Sequence, residues 1–334
     1  MGGNGALTWR PIGPGDAADW AGLLNAISAA DRDWEYFSDQ DLLEDFGDPY
    51  LDFARGSVAV YHDGTMAGYG LLACRTAAEP VHEMRHHGGV HPAYRGRGLG
   101  GQLLDWAETA AIPLHQERYP GRSLSLSGSC LSPNTPAVAL YAAHGYRPSR
   151  WFHGMTRDLS AALPEAPVPA GVDVVGLTPD RWEDARLIRN DAFRDHWGST
   201  EDPADAWAHY LEISAVRPAF SFLAYSGGEP LGLVISHEYE AFNEAAGHRD
   251  LYIALVGTRR AGRNRGIASA LLLRALAGAR AAGFASASLG VDADSPTGAL
   301  GLYERAGFTV ELTSVTNTKP LLAAQPEGAP PAGH

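Results

Sequence analysis

Cysteine is scarce in this chain: Cys74 and Cys130 are the only two in 334 residues. Two thiols do not make the disulfide framework of a secreted scaffold, so both are expected as reduced core residues. Long apolar runs are missing as well. The richest stretch, 268–283, is interrupted by Arg274 and Arg280, which excludes a membrane span. The first six residues, Met1-Gly2-Gly3-Asn4-Gly5-Ala6, hold neither the apolar core of a signal peptide nor the Ser or Thr that N-myristoylation requires, so the expectation is cytoplasmic. Positive charge is also short. With 26 basic against 39 acidic residues the formal balance is −13, which disfavours nucleic acid and favours a cationic small molecule. The charged fraction of 19% is too low for a disordered chain, and the 45% apolar content is enough to build two cores.

Hydrophobic periodicity gives one order of elements twice. In the first half it predicts a helix over 16–30 and a hairpin of strands 56–62 and 66–75 about Asp63-Gly64. A polar strand 83–90 follows, then a helix 98–111 with Leu99, Leu103, Leu104 and Ala107 on one face. A strand 123–130, a helix 136–144 stopped by Gly145 and a strand 151–159 complete it. Three prolines in 160–171 mark a stiff linker. The second half repeats the order: strand 172–177, helices 179–197 and 203–215, a hairpin of 220–225 and 231–237 about Gly227-Gly228, strand 250–258, helix 267–282, strand 284–291, helix 297–305 and strand 310–316. Gly98 corresponds to Gly266, 168 residues on, and Tyr141 to Tyr303, 162 on. The mismatch of six is assigned to a longer connection around 112–121. A period this long means tandem domains: 1–159 and 172–322, joined by the linker 160–171 and followed by a Pro- and Gly-rich tail, 323–334, expected to be disordered.

The segment with most chemistry is Val90-His-Pro-Ala-Tyr-Arg95-Gly96-Arg97-Gly98-Leu99-Gly100. A strand ends, a basic glycine-rich turn follows, and an apolar helix begins. Such a turn presents successive backbone N–H groups and a helix N-terminus to an anion, and the arginines add charge: a site for a pyrophosphate. Arg263-Asn264-Arg265-Gly266-Ile267-Ala268 repeats the layout, so a turn serving geometry alone is the weaker explanation. Gly96, Gly98 and Gly101 also fit G-x-G-x-x-G. Yet the strand before them, with Arg85-His86-His87-Gly88-Gly89, is not the apolar first strand of a dinucleotide fold, and the second copy lacks the pattern. No G-K-[ST] follows, so a P-loop is excluded as well.

The pattern [RQ]-x-x-G-x-[GA] opening a helix after a central strand resembles the coenzyme A signature of the GNAT superfamily of N-acetyltransferases. Asn134 to Tyr146 reads N-x6-Y-x3-G-Y and Ser295 to Phe308 reads S-x7-Y-x3-G-F, similar to the superfamily's N-x-x-A-x-x-x-Y-x-x-x-G-F helix. Both motifs occur in both halves, in order. Asn190-Asp-Ala-Phe193-Arg-Asp-His196-Trp197-Gly198 resembles a segment of mycothiol-synthase-like proteins, whose C-terminal half is the active one. There are departures: Asn264 stands for a glycine, Thr258 where the first copy has Val90, and Ser295 for an asparagine.

The resemblance implies two tandem acetyltransferase-type domains of α/β (α+β) class, each with a mixed, partly antiparallel central sheet flanked by helices. It implies acetyl-CoA as cosubstrate and an acyl group moved to the amine of a small molecule by direct attack in a ternary complex. The cofactor groups would be Val90, Arg95, Gly96, Arg97, Gly98, Leu99, Gly100 and Asn134 in one half. In the other they would be Val256, Thr258, Arg263, Asn264, Arg265, Gly266, Ile267, Ala268 and Ser295. Tyr141 and Tyr303 would lie near the sulfur as general acids. Acyl transfer also requires a neutral amine and a donor for the oxyanion. Glu83, Asp250 and Glu238 are candidate bases beside the alternative of a water relay. The acidic stretches 31–48 and 238–244 are candidates for the acceptor side or plain solvated surface. His82, His86, His87 and His91 lack a ligand spacing, so no metal is expected. The expected assembly is a monomer or homodimer. The competing readings are an acyl-CoA-binding or sensing protein, and one catalytic half beside one structural half.

Overall fold

The computed structural model describes residues 6–74, 81–194, 196, 199–295 and 298–324. The first five residues, Arg75, Trp197, Gly198, Thr297 and the tail from 325 lie outside them. In chain order the first half holds β1 (Thr8–Arg10), α1 (Ala17–Asp31), α2 (Asp39–Glu44), α3 (Phe53–Gly56), β2 (Ser57–His62), β3 (Thr65–Ala73), β4 (Val81–Val90), α4 (Leu99–Arg118), β5 (Ser123–Leu131), α5 (Thr135–Ala143) and β6 (Arg147–Asp158). The second holds β7 (Asp173–Gly176), α6 (Trp182–Ala192), α7 (Ala204–Glu212), β8 (Phe222–Ser226), β9 (Glu229–His237), α8 (Glu240–Ala246), β10 (Asp250–Thr258), α9 (Ile267–Ala281), β11 (Ser286–Asp292), α10 (Ala299–Arg305) and β12 (Thr309–Leu322).

Local chemistry explains the punctuation. Asp63 and Gly64 both take positive φ (48° and 80°), as do Gly227 and Gly228 (59° and 83°). That is the two-residue turn whose twist suits a hairpin. The 112–121 stretch is mostly not a connection. Helix α4 runs through Pro113 to Arg118 because its apolar stripe continues in Ala111 and Leu114, both buried; their burial offsets the missing backbone donor of the proline.

The chain forms two compact units that do not follow chain order. One comprises residues up to Asp33, Pro49–Ser149 and those from Val315; the other comprises Trp34–Asp48 and Arg150–Ser314. In the first unit the strand order is β1-β2-β3-β4-β5, then the part of β12 from Val315. Its cores lie on α4 (Leu72, Met84, Leu104, Ala107, Leu124, Leu126, and a patch of Val58, Val60, Leu99 and Leu103). In the second unit the order is β7-β8-β9-β10-β11-β6, followed by the first part of β12. One face of that sheet packs Leu251, Ile253 and Leu289 against α9. The other packs Leu233, Ile235 and Leu255 against Ile188 of α6 and Trp207 and Leu211 of α7. In each unit one central pair is parallel, β4 with β5 and β10 with β11, among antiparallel neighbours.

Candidate active site

Each parallel pair is joined only at its start. β4 and β5 pair from Val81↔Ser123 to Arg85↔Ser127, and β10 and β11 from Asp250↔Ser286 to Tyr252↔Ser288. Beyond those points the strands run on to Val90 and Leu131, and to Thr258 and Asp292, without pairing each other. A fork of this kind frees backbone N–H and C=O groups for a ligand, because each group needs a partner that the neighbouring strand no longer supplies. The two forks differ. The β10–β9 ladder shifts register between Ile253 and Leu255, a bulge that leaves Ala254 unpaired. The β4–β3 ladder is regular from Arg85 to Val90.

The glycine-rich turns follow the fork strands. Gly98 (φ 82°) and Gly266 (φ 81°) cap α4 and α9 in the left-handed region, and nothing lies within 4 Å of where a Cβ on Gly96 or Gly98 would stand. Asn264 (φ 60°) takes the conformation of its counterpart Gly96 (φ 74°). Asparagine is among the few residues that adopt it readily. Leu99 and Ile267 are buried, and Leu99 also lines the cavity of the first unit. Gly100 faces Leu140, and Ala268 opens the next helical position. The first arginine of each turn braces the strand before it: Arg95 Nε donates to the Val90 carbonyl (3.1 Å) and Arg263 Nε to that of Thr258 (3.4 Å). Arg95 is also bidentate to Asp31 (2.6 and 2.9 Å). Arg97 lies over the Tyr94 ring, and Arg265 donates to Ser226. The backbone amides, more than these guanidiniums, are therefore what the turns offer a pyrophosphate. Asn134 caps α5 through Ala137 and donates to Asp31, while the Ser295 amide donates to the Asp292 carbonyl. Val256 and Thr258 lie on β10 past its bulge.

In the first unit the fork opens on a cavity of about 630 Å³, lined by Val90, Arg95, Gly96, Gly98, Asn134 and Tyr141 among others. His86 and Cys130, absent from any motif, line it too. The Tyr141 hydroxyl is 3.3 Å from His86 Nε2, and both atoms crowd Gly128, where a Cβ would meet them at 2.4 and 2.2 Å. Burial, then the nearby His87, pushes His86 down to about 3, so the imidazole is neutral. Burial also raises Tyr141, with the nearby Cys130 adding to it. The other histidines disperse: His82 pairs with buried His115 (Nδ1 to Nδ1, 2.8 Å), and His91 accepts from Ala93. The two cysteines are not joined.

In the second unit Tyr303 on α10 is buried, and its hydroxyl is raised by burial and then by the nearby Tyr252. Among the described residues no protein group is hydrogen-bonded to it. The candidate bases are engaged elsewhere. Glu83 accepts from Ser127 (2.8 Å). Glu238 is bound by Arg217 and Arg249; burial would raise it, but those bonds hold it below the usual carboxylate range. Asp250 is buried and raised, against the hydrogen bonds from Ser286 and Ser288. The stretch 31–48 is divided: Asp31 and Asp33 belong to the first unit, the rest to the second. There Glu44 accepts from the Ser214 amide (2.9 Å). Asp45 is pushed to about 7 by burial and then by Asp48, Asp41 and Glu44. Asp41, Asp45 and Glu35 all act on half-buried Tyr239, which neighbours Tyr252 (ring centroids 5.9 Å). Among the described residues no cluster has the make-up of a metal site, and no helix is long and apolar enough to cross a membrane.

Residues 182–308 match the model of the acetyltransferase (GNAT) family, and residues 54–148 that of an acetyltransferase (GNAT) domain. A mycothiol acetyltransferase of Thermobispora bispora is 33% identical over 66% of this chain and 70% of its own length. One of Salinispora arenicola is 28% identical over 89% of this chain and 91% of its own. Among solved structures, a GCN5-related N-acetyltransferase from Sphaerobacter thermophilus superposes with TM-score 0.73 at 28% identity, covering 94% of this chain and 96% of that one. A tandem GNAT protein from the clavulanic acid biosynthesis pathway does so with TM-score 0.72 at 17% identity, over 96% and 100%; at that identity the likeness is one of fold. With both forks, both glycine-rich turns and both tyrosine helices in place, the chain belongs to the GNAT family of acetyl-CoA-dependent N-acetyltransferases and carries two of its domains in tandem.

Proposed function

We propose that the second half carries the turnover. There the amine of a small acceptor attacks acetyl-CoA directly in a ternary complex, and Tyr303 protonates the departing thiolate. The observation that carries the choice of half is the state of the two tyrosines. Tyr141 is already hydrogen-bonded to His86, whereas Tyr303 has no protein partner among the described residues and is free to meet a sulfur. Burial keeps its proton in place until a thiolate develops. The bulge at Ala254 supports the same choice, since bulges re-aim backbone groups and recur beside active sites. The first half then serves as a second acetyl-CoA site in its 630 Å³ cavity. The carboxylates around Tyr239 favour an acceptor that is cationic in solution, and the relatives' name makes an acceptor of the mycothiol kind the first to test.

The test is a pair of hydroxyl deletions. Positioned general acids contribute about 10²–10⁴ in rate, so Tyr303→Phe should lower kcat by about 10² with little change in acetyl-CoA affinity, while Tyr141→Phe leaves kcat nearly intact. The reverse ranking would move the active site to the first half.

A further inference from the structure

The second fork contains a tyrosine that no motif marks. Tyr252 is the last residue of β10 paired with β11, opposite Ser288. Its cross-strand partner on β9 is His237, so its side chain stands with those of His237 and Tyr239, away from the face where Leu251 and Ile253 meet α9. The ring leans along the fork. The Tyr252 hydroxyl oxygen is 3.4 Å from where a β-carbon on Gly290 would stand, and Gly290 lies on β11 two residues past the last pair. A Cβ at 290 would thus stand in van der Waals contact with that oxygen.

The groups around Tyr252 define a direction. Tyr303 is raised by burial first and then by the nearby Tyr252 hydroxyl. On the other side Tyr252 is raised by burial first and then by the Glu35 carboxylate, with the Gly290 amide working against the rise and Asp250 adding to it. Glu35 is exposed. Tyr239, whose hydroxyl is 3.0 Å from His237 Nδ1, and Tyr210 of α7 complete the polar surroundings, with Asp41 and Asp45 beyond Tyr239. His237 is neutral, held near 4 by burial and Arg217. The hydroxyl in the mouth of the fork thus feels an exposed carboxylate on one side and acts on the tyrosine assigned to the sulfur on the other. At the matching place in the first half, the last paired residue of β4, stands Arg85, a cation that repels an ammonium.

We propose that Tyr252 is a second catalytic tyrosine, passing the proton of the attacking amine toward Glu35 and solvent. This rests on turnover in the second half. As the amine nitrogen bonds to the thioester carbon and the C–S bond breaks, the nitrogen gives its proton to Tyr252 Oη. Tyr252 in the same event releases its own toward the Glu35 carboxylate, and Tyr303 supplies the proton that completes the CoA thiol. The sum is amine plus acetyl-CoA giving amide plus CoA: Tyr252 ends as it began, Glu35 gives its proton to solvent, and Tyr303 regains one from solvent. Because burial disfavours a standing phenolate, Tyr252 relays a proton rather than storing a charge.

Tyr252→Phe keeps the ring and its packing and removes only the hydroxyl, so the experiment is the pH profile of kcat/KM for the intact chain with acetyl-CoA and glucosamine, wild type against Tyr252→Phe, Tyr303→Phe and Tyr141→Phe. The expected result is a ten- to hundredfold loss for Tyr252→Phe at neutral pH that shrinks as pH rises toward the amine's own pKa, with acetyl-CoA affinity unchanged. A loss independent of pH, or one matched by weaker acetyl-CoA binding, would overturn the proposal in favour of a packing role. A silent Tyr252→Phe beside an impaired Tyr303→Phe would overturn it alone. A silent Tyr303→Phe beside an impaired Tyr141→Phe would overturn the choice of the second half, and this proposal with it. If glucosamine is not turned over, cysteamine is the substitute acceptor, and the same comparisons decide.

Discussion

At the scale of the residue, backbone conformation decides which departures from a motif matter. Asn264 keeps the backbone conformation of the glycine it stands for, because it tolerates the left-handed region that the turn demands. Motif residues such as Gly98, Gly266, Tyr141 and Tyr303 are legible in the sequence because their spacing is set by local geometry. His86 and Tyr252 are not, because their importance comes from a strand pairing that ends beside them. His86 has a measurable consequence. In the unfolded chain its imidazole takes up a proton near the ordinary value of 6.5; folded, it does so only near 3. The folded pKa is the lower one, so below pH 6.5 the unfolded state binds the extra proton. Stability is full above about 6.5 and falls as pH drops from there toward 3. At about 1.4 kcal/mol per pH unit the whole effect is on the order of 4–5 kcal/mol. Replacing His86 by Leu, which cannot protonate, should flatten the decline of thermal stability between pH 6.5 and 4 relative to wild type. An unchanged slope would show that His86 is not the buried neutral group the geometry describes.

At the scale of the element, the hydrophobic pattern gives the central strands and the start of both cofactor helices, because each has one face on a core, but it ends the first of those helices at 111 where α4 runs on to Arg118. It does not give α2 and α8, which bury little apolar surface of their own, nor the bulge in β10. A bulge shifts the alternation by one residue, so Ile253 and Leu255 face opposite sides although they are two apart. The continuous apolar run hides it until the pairing is seen: Ile253 lies opposite Ser236 and Leu255 opposite Ile235. Removing Ala254 would therefore join two stretches already in register with β9, with Ile253 still facing α9 and Leu255 still facing α6 and α7. The variant should fold, melt within several degrees of wild type and bind acetyl-CoA. If the bulge aims a backbone donor at the thioester oxygen, kcat should fall by a factor on the order of 10²–10³, the usual cost of one oxyanion donor. Full activity in the shortened strand would remove that role from the bulge.

At the scale of the whole molecule, tandem repetition is legible from two pairs of landmarks, but the ownership of segments is not. Trp34–Asp48 comes from the first half of the chain and belongs to the second compact unit, while the residues from Val315 come from the end of the chain and belong to the first. Composition cannot reveal this, because an acidic helix and a strand look alike wherever they dock. The contacts are specific. Within the second unit, Glu44 accepts from the Ser214 amide, a Cβ on Gly47 would stand 2.9 Å from the His209 ring, and the Tyr36 ring lies 6.5 Å from Phe242. Within the first unit, Thr316 is 2.9 Å from Ser129 and Lys319 is 2.6 Å from Glu108. A cut inside the linker 160–171 separates each unit from part of itself: β5 loses its neighbour from β12, and the second unit loses Trp34–Asp48 together with β6, the partner of β11. An open strand edge and an uncovered apolar surface favour aggregation over folding. Fragments 1–165 and 166–334 produced separately should then be insoluble or lack a cooperative melt. Produced together they should recover a soluble pair that binds acetyl-CoA, because each supplies the other's missing segment. A fragment that alone melts cooperatively and binds acetyl-CoA as the intact chain does would show that the exchanged segments contribute little to either unit.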